Sequence, residues 1–332
     1  MMDHSNEKNT SQELFCYGLP PSILVDHSKI LVTLMVLNTF ISITATIGNL
    51  LVLATIWRSP HLHTPSNTLL FGLALSDLCV GIVSEPLNAG FQAVLFTNSI
   101  KITSCTLVNV RTLISTFLSV VTLLTVTAMS VDRYLAIYLH LRYELVVTEE
   151  KTRKVILCLW LISSVFLVVM IFHPMTSFSV ATLTIPVCLA IISFAWIKIY
   201  QVVRHHQAQI QDQMAVASQS FNMARFRKSA INTKLVLVIV LVCYIPFLVS
   251  KICLTANLIP SNVLFIEITY VFVLLNSSLN PFVYFWRQRD LRAQAKQLVT
   301  NESKDSNIDN SNSSHSVNCN SNELLSSVVD NM

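Results

Sequence analysis

The strongest candidate for chemistry in this chain is a carboxylate inside an apolar stretch. Residues 73–78 read LALSDL, which places Asp77 among aliphatic neighbours. An ionisable group in such a setting is costly to bury and usually functional. Polar side chains at similar depth in other apolar stretches are Asn49, Thr122, Asn276, Ser277 and Asn280. Together these oxygen atoms suit a small hard cation such as Na⁺, while a polar network that joins helices is the equally open alternative.

A second candidate is the tripeptide Asp132-Arg133-Tyr134, which lies at the end of another long apolar stretch. An arginine at that point can extend to the membrane surface and pair with Asp132. The plainer alternative is a basic anchor on the cytoplasmic side of a membrane span.

Two prolines inside apolar stretches form a third candidate. Pro246 ends the sequence Cys243-Tyr244-Ile245-Pro246, and Pro281 belongs to Asn280-Pro281-x-x-Tyr284. A proline inside a helix removes a backbone hydrogen bond and permits a kink that neighbouring helices can accommodate. Each proline therefore predicts either a pivot for the end of its helix or a kink without function.

The composition shows what kind of molecule must position these groups. The 332 residues are 53% hydrophobic and 12% charged, against about 25% charged in soluble domains. This balance excludes a soluble globular protein and a disordered chain. A net charge of +4 is too small for a nucleic-acid binder, so no nucleic-acid partner is expected. Five glycines and no phosphate-binding Gly motif exclude the common nucleotide folds. An integral membrane protein remains.

The apolar stretches predict seven transmembrane helices, because about 20 apolar residues cross a bilayer. The segment 155–197 is too long for one span, and the proline in Phe172-His173-Pro174 divides it. The predicted fold class is an all-α membrane protein, a seven-transmembrane helix bundle followed by a short amphipathic helix on the membrane surface. The predicted spans are 30–57, 67–91, 103–136, two within 155–197, 229–257 and 262–286.

The basic residues predict the orientation and the division of the chain. Few Lys and Arg fall on the side that holds the N-terminus, so the positive-inside rule places that end outside. Those few are Lys8, Lys29, Lys101, Arg111 and Lys251. We expect an extracellular tail over 1–29, the membrane domain over 30–286, an amphipathic helix over 287–298 and a disordered cytoplasmic tail over 299–332. The first span is expected to act as the membrane signal.

Taken in order, these motifs resemble the rhodopsin-like (class A) G-protein-coupled receptors over about residues 30–298. The resemblance is nearest to the melanocortin, lipid and adenosine receptors, with the subfamily left open. Its further elements are Gly48-Asn49-x-x-Val52, Leu73-Ala74-x-x-Asp77, the sequence Leu141-Arg142-Tyr143 and Trp160.

The resemblance implies a plasma-membrane receptor and no enzyme. An extracellular ligand binds in the outer half of the bundle and shifts a two-state equilibrium. The inner end of helix six then swings outward, and Arg133 leaves Asp132 to meet a heterotrimeric G protein. Coupling and activation fall to Asp132, Arg133, Tyr134, Tyr244, Pro246, Asn280, Pro281 and Tyr284. The family's pocket for Na⁺, an allosteric ion and the only cofactor implied, corresponds to Asn49, Asp77, Thr122, Asn276 and Asn280.

Departures from the family pattern are also informative. The usual tryptophan of helix six is Tyr244, and Trp196 stands where helix five usually has tyrosine. Pro186 lies about two residues early. The acidic residue that holds the arginine of helix three corresponds to Phe226 inside a basic cluster. The lock should therefore be absent, which predicts high basal activity.

The resemblance places the ligand among charged residues near the outer end. Ser115 takes the position of the amine receptors' aspartate, and Leu274 that of the retinal-binding lysine, so amines and retinal are not expected. Anionic lipid, nucleoside-like ligand and small peptide all stay open. The basic residues could grip an anion, or the acids could pair with them internally or meet a basic peptide. The expected cavity residues are Glu85, Arg111, Ser115, Lys251, Glu267 and Tyr270.

Covalent features complete the expectations. Three cysteines face the oxidising side, and Cys16–Cys253 is the favoured disulfide, with Cys105 as the rival partner for either. Asn9 is in a glycosylation sequon. The Ser-rich tail suits a receptor kinase and arrestin, or has no such role. The competing function is a membrane channel or transporter with Asp77 as its ion site.

Overall fold

The computed structural model describes residues 28–96, 103–139, 142–214, 238–254, 256, 263–298 and 300. Almost all of this part of the chain is helical. The long helices are α1 (Ser28–Arg58), α3 (Thr103–Leu139), α4 (Glu149–Phe172), α5 (Pro174–Met214), α6 (Val238–Leu254) and α7 (Val263–Arg287). Between α1 and α3, helix α2 covers residues 65–96, and a last helix, α8, covers 289–298.

The predicted seven-helix membrane bundle is confirmed. Six helices in the described part of the chain are long and apolar enough to cross a membrane. The described part of α6 is shorter, because residues 229–237 of its predicted span lie outside the described ranges. The division at Phe172-His173-Pro174 is also confirmed, since α4 ends at Phe172 and α5 begins at Pro174 with only His173 between them.

Helix α2 has three segments, and the middle one sets its direction. Pro65–Cys79 is α-helical, Val80–Ser84 is a π turn, and Glu85–Phe96 is α-helical again. A π turn makes hydrogen bonds one residue longer than an α-helix and often marks a functional site. At this turn the Ser42 hydroxyl of α1 donates to the Gly81 carbonyl over 2.7 Å. A Cβ on Gly81 would lie 2.7 Å from Thr46 Oγ1, so only glycine lets the two helices approach this closely.

The bundle is packed at its centre and apolar on its outside. Leu73, Leu123, Ile192 and Leu274 are among the fully buried side chains of the central cluster. The outward faces carry exposed aliphatic and aromatic side chains, most clearly on α4, where Leu157, Leu161, Ile162, Val165 and Val168 are exposed. A helix that is apolar on its exposed face suits lipid rather than water as its neighbour.

Helix α8 has the predicted amphipathic pattern. Leu291 and Ala295 are buried, whereas Arg289, Arg292 and Lys296 are exposed. The Ser59 hydroxyl, which follows α1, donates to Gln294 Oε1 over 3.3 Å and ties α8 to the end of the first span. Below, the end of the bundle where α1 begins is called the outer end and the end that carries α8 the inner end.

Candidate functional site

Asp77 is the hub of a buried network at the middle of the bundle. Its side chain is fully enclosed. Asn280 Nδ2 of α7 donates to Asp77 Oδ2 over 2.8 Å, and Thr122 Oγ1 of α3 donates to Asp77 Oδ1 over 3.3 Å. The carboxylate therefore links three helices. A buried charge that receives hydrogen bonds in this way is far less costly than one without partners.

The neighbouring amides contribute differently from one another. Asn49 of α1 donates to the Ser277 carbonyl of α7 over 3.1 Å, so its hydrogen bond joins these two helices. The Asn276 side chain is fully buried, and neither of its amide atoms has a hydrogen-bond partner. Asn49 Oδ1 is likewise buried without a partner. Buried polar atoms of this kind are rare in folded proteins and indicate an unseen partner or a special role.

Asp132 is held at the inner end by two hydroxyl groups and not by the neighbouring arginine. Ser66 of α2 donates to Asp132 Oδ2 over 2.8 Å, and the Tyr143 hydroxyl donates to Oδ1 over 2.6 Å. Within the described ranges no ion pair joins Arg133 to Asp132, so the expected pairing is wrong for this structure. The reason is that both oxygens of the Asp132 carboxylate already accept hydrogen bonds from hydroxyl groups of neighbouring elements.

Tyr143, in the one-turn helix Tyr143–Val146 after α3, stays a hydrogen-bond donor over a wide pH range. Burial, and then the hydrogen bond to Asp132, raise the pKa of the Tyr143 phenol to about 12. Ser66 and Tyr143 were not among the candidate residues from sequence. Tyr143 was noted only as part of a motif, and nothing in the sequence indicated which carboxylate it would reach.

The residues expected to move during activation lie in the core. Tyr244 of α6 is buried in the central cluster, as is Tyr284 of α7. Pro281 packs so closely on α1 that a Cβ at Gly48 would lie 2.9 Å from its ring. Both α6 and α7 continue as helix through their prolines. Tyr134 stacks on Tyr138 with ring centroids 5.6 Å apart. Trp196 is buried on α5, and its indole nitrogen has no hydrogen-bond partner.

An ion pair spans the outer end of the bundle. The Arg111 guanidinium of α3 donates to both carboxylate oxygens of Glu267 on α7, over 2.6 and 3.1 Å. Its Cζ atom also lies 4.1 Å from the centroid of the Phe91 ring on α2. Of the alternatives left by the sequence, internal pairing is therefore the one realised for Arg111 and Glu267. Lys251 Nζ lies over the Phe247 ring of its own helix, at 5.3 Å.

One helical turn from the Arg111–Glu267 pair toward the inner end, hydroxyl groups connect α2, α3 and α7. Ser84 donates to the Ser115 hydroxyl over 2.8 Å, and Asn88 Nδ2 lies 3.3 Å from the same oxygen. The Tyr270 hydroxyl is 3.3 Å from Ser119. The structure thus brings Ser115 and Tyr270 into one polar layer beneath the ion pair. Asn88 was missed from the sequence, although it follows Glu85 by three residues and so shares its helix face.

Glu85 differs from every other candidate. It is fully buried, and neither carboxylate oxygen has a hydrogen-bond partner. Gln92 is buried on the same face and binds Asn38 of α1, whose Nδ2 donates to Gln92 Oε1 over 2.9 Å.

The expected disulfide is not formed. Cys253 is a free thiol, half-buried within the helical turn of α6, so the predicted pairing with Cys16 is wrong for this structure. Cys16 and the sequon residue Asn9 lie outside the described residues, as does Phe226. The structure contains no group of three or more His, Cys, Asp or Glu that would hold a metal, as far as the described residues extend.

Comparison with known proteins agrees with this arrangement. Residues 48–189 match the model of the family described as 7 transmembrane receptor (rhodopsin family). Melanocortin receptor 4 of Danio rerio is 23% identical over 319 residues, which cover 89% of this chain and 94% of that receptor. Melanocortin receptor 5 of Mus musculus is 25% identical over 269 residues, covering 76% and 79%. Adenosine receptor A2b of Rattus norvegicus is 34% identical over 130 residues, covering 38% and 36%.

These relatives are receptors, and they give no support to the channel or transporter alternative. The family match and the full-length similarity agree with the motifs that stand in order on seven helices. Over residues 48–189 the chain is therefore similar to the rhodopsin-family 7 transmembrane receptors, and over most of its length it is similar to melanocortin receptors.

Proposed function

We propose that this receptor resides in the plasma membrane with its N-terminus outside and activates G protein even without ligand. The observation that carries the proposal is the set of hydrogen-bond partners around Asp132 and Arg133 at the inner end. Asp132 is occupied by Ser66 and Tyr143, while Arg133 has no ion pair among the described residues. An arginine that no carboxylate of the described residues holds is already available to a G-protein α subunit. The sequence adds that the residue expected to lock it is Phe226.

The same structure supports a route by which a ligand at the outer end changes the inner end. Helices α6 and α7 are joined near the outer end by Ser250 and Thr269, whose hydroxyls lie 2.9 Å apart. The rings of Phe247 and Tyr270 pack there at 5.4 Å. A ligand that alters these contacts shifts α6 relative to α7, and Pro246 provides the point where α6 bends. Because packed interfaces have discrete arrangements, a small shift outside becomes a larger displacement inside.

Nucleotide exchange measured without ligand tests the proposal. Membranes from cells that express the receptor should bind GTPγS above the level of vector-only membranes when a matching G protein is present. Arg133→Ala should reduce this exchange to the vector level, whereas Arg153→Ala, on the exposed start of α4, should leave it unchanged. Surface expression of each variant is measured in parallel. Absence of exchange with every G-protein class, despite normal surface expression, would refute the proposal.

Sodium as an allosteric ion is a second part of the proposal. The residues fit such an ion, because the Asp77 carboxylate, the Thr122 hydroxyl and the side-chain oxygens of Asn276 and Asn49, for which the described residues supply no donor, are all buried. Hard cations prefer oxygen ligands of this kind. In this role Asp77 neutralises the charge of Na⁺, and Asn280 holds the carboxylate in position.

Thermal unfolding tests the ion site without any signalling readout. The purified receptor should unfold at a higher temperature in NaCl than in choline chloride of equal ionic strength, because an ion that binds only the folded state stabilises it. Asp77→Asn keeps the shape and removes the charge, so it should remove this difference. Equal unfolding temperatures in both salts would refute the ion site while leaving G-protein coupling untouched.

The cytoplasmic tail supports a third, separate part. Residues 299–332 are rich in Ser and Asn. We propose that a receptor kinase phosphorylates these serines and that arrestin then binds the added negative charge. Removal of residues 303–332 should abolish arrestin recruitment and leave basal nucleotide exchange intact; unchanged recruitment would refute this part.

A further inference from the structure

Glu85 and Asn88 form a pair of buried acceptors for which the described residues supply no donor. The two residues lie three apart on the second α-helical segment of α2 and therefore on one face. Both are at most 1% exposed. Glu85 Oε1, Glu85 Oε2 and Asn88 Oδ1 all lack a hydrogen-bond partner. Three acceptor oxygens on one face, with no donor among the described residues, form half of a binding site.

The basic side chains near the outer end do not complete it. The Arg111 guanidinium makes its two short hydrogen bonds to Glu267 instead. Lys251 lies on α6, with its ammonium over the Phe247 ring. Among the described residues the acidic group left without a cation at this end is Glu85. A carboxyl group buried without a hydrogen-bond partner is costly, so a donor that comes from a bound molecule would stabilise it.

Glu85 lies beside the buried polar residues Ser84, Asn88 and Ser115, and these four residues are called the Glu85 cluster below. Ser84 and Asn88 both contact the Ser115 hydroxyl, so the side toward α3 is polar. The Tyr270 hydroxyl of α7 lies 3.3 Å from the Ser119 hydroxyl of α3, one helical turn inward of Ser115.

The Arg111–Glu267 pair and Phe91 lie nearer the outer end than the Glu85 cluster. Arg111 precedes Ser115 by four residues, one helical turn or about 6 Å nearer the outer end. Glu267 precedes Tyr270 by three residues, and Phe91 follows Glu85 by six. An extracellular ligand therefore meets these three residues before it reaches Glu85.

We propose that the Glu85 carboxylate, together with Asn88 Oδ1, binds a cationic group of the extracellular ligand, an ammonium or a guanidinium. Such a group carries two or more N–H donors, which match the three acceptors, and its positive charge favours the carboxylate form of Glu85. The ligand enters by displacing Phe91 and the Arg111–Glu267 pair. This inference rests on the proposed function, since it names the ligand chemistry of the same receptor.

Binding of matched small probes to the full-length receptor in lipid nanodiscs tests the inference. The probes are 2-phenylethylammonium, 2-phenylethylguanidinium and the neutral isostere 2-phenylethanol, and ligand-observed NMR measures their affinities. The two cations should bind more tightly than the alcohol. Glu85→Gln should weaken the cations by roughly tenfold to a hundredfold, the range for hydrogen bonds to charged groups, and leave the alcohol unchanged.

Two further variants control for charge and shape. Glu150→Gln removes the same charge from an exposed site at the start of α4 and should leave all three affinities unchanged. Glu85→Asp keeps the charge on a shorter side chain and should retain part of the preference for cations. The unfolding temperature of each variant shows that it is folded.

Three results would overturn the inference. One is equal affinity of the cations for the native receptor and Glu85→Gln, and another is equal affinity of cation and alcohol. The third is stabilisation by CaCl2 or NaCl that depends on Glu85 while the organic cations have no effect, which would assign the site to a metal. Basal nucleotide exchange is measured in parallel. If only the proposed function fails, exchange is absent and the preference for cations persists; if only this inference fails, exchange persists without the preference.

Discussion

Asp77 and Glu85 are two carboxylates on the same transmembrane helix, eight residues apart, and both are fully buried. Asp77 receives hydrogen bonds from Asn280 and Thr122 on two other helices. Glu85 receives none from the described residues. Burial is therefore equal at the two positions, and only the supply of donors differs.

The π turn between the two residues explains why both side chains face the interior. In an uninterrupted α-helix, eight residues would rotate the second side chain by roughly 80° from the first. The wider turn at Val80–Ser84 takes up part of that rotation. The turn requires glycine at position 81, because α1 lies too close there for any side chain.

The difference between the carboxylates separates two functions. A carboxylate whose partners come from other helices holds those helices together and changes only when they move. A carboxylate without partners is available to a molecule from outside. The inner region of the receptor is thus a self-contained polar network, and the outer region contains one group whose partner the described chain does not supply.

Removal of each carboxylate is the strongest way to test this contrast. Asp77→Ala should destabilise the receptor by about 3 kcal/mol, because it leaves the Asn280 and Thr122 donors buried without an acceptor. Glu85→Ala removes no hydrogen bond and should cost clearly less. Thermal unfolding of the purified variants measures both. Equal losses of stability would show that Glu85 has partners after all.

Substitution at the π turn tests whether the turn is what aligns the two residues. Gly81→Ala forces a Cβ against Thr46 and should destabilise by about 2 kcal/mol, within the range for overpacked sites. Gly90 provides the matched control on the same helix, because nothing lies within 4 Å of a Cβ built there. Gly90→Ala should be neutral or stabilising, by about 0.5 kcal/mol. Similar effects of the two substitutions would contradict close helix packing at Gly81.

Replacement of Glu85 by an apolar residue of similar length tests the difference between the two carboxylates by a gain of stability. Glu85→Met should raise the unfolding temperature of the ligand-free receptor, by the equivalent of about 1 kcal/mol, since it removes an uncompensated buried polar group. The matched substitution Asp77→Leu should lower it. A lower unfolding temperature for Glu85→Met would mean that the carboxylate stabilises the free receptor.

The smallest expected effect concerns Tyr143 at the inner end. Tyr143→Phe deletes one hydrogen bond to Asp132 and should cost about 1 kcal/mol. The phenol pKa is raised from 10.0 to about 12 in the folded protein, so this contribution is fully present below pH 10 and is lost as the pH rises through about 12. Ultraviolet titration of the native receptor minus Tyr143→Phe should show a tyrosinate transition near pH 12. A transition near pH 10 would indicate an exposed phenol.

Much of the fold could be predicted from the sequence, and the reason is the membrane. A bilayer requires every backbone polar group of a span to be satisfied internally, so long apolar stretches become helices. The break at His173 followed from Pro174 alone. The amphipathic pattern of residues 289–298 followed from the spacing of Leu291 and Arg292. These are local properties, which do not depend on which helices become neighbours.

The site could be predicted only in part, because the spacing of residues along one helix does not show which residues of other helices they contact. The sequence indicated Asp77, Thr122 and Asn280, and their hydrogen bonds bring them together. It could not indicate that Asp132 would accept from Tyr143 rather than pair with Arg133. It also did not indicate which acidic residue of the outer end, Glu85 or Glu267, would pair with Arg111. The structure shows that Glu267 does so.

The sequence by itself determined that this chain crosses a membrane as a helical bundle, and its ordered motifs indicated a receptor that couples to G proteins. Those conclusions depend on hydrophobicity and on residues read one helix at a time. The tertiary structure decided which buried charges are satisfied and which is left over, because a hydrogen bond between helices requires two side chains to meet at the same depth and angle. That is why Asp77 and Glu85, so alike in sequence, have different roles in the folded receptor.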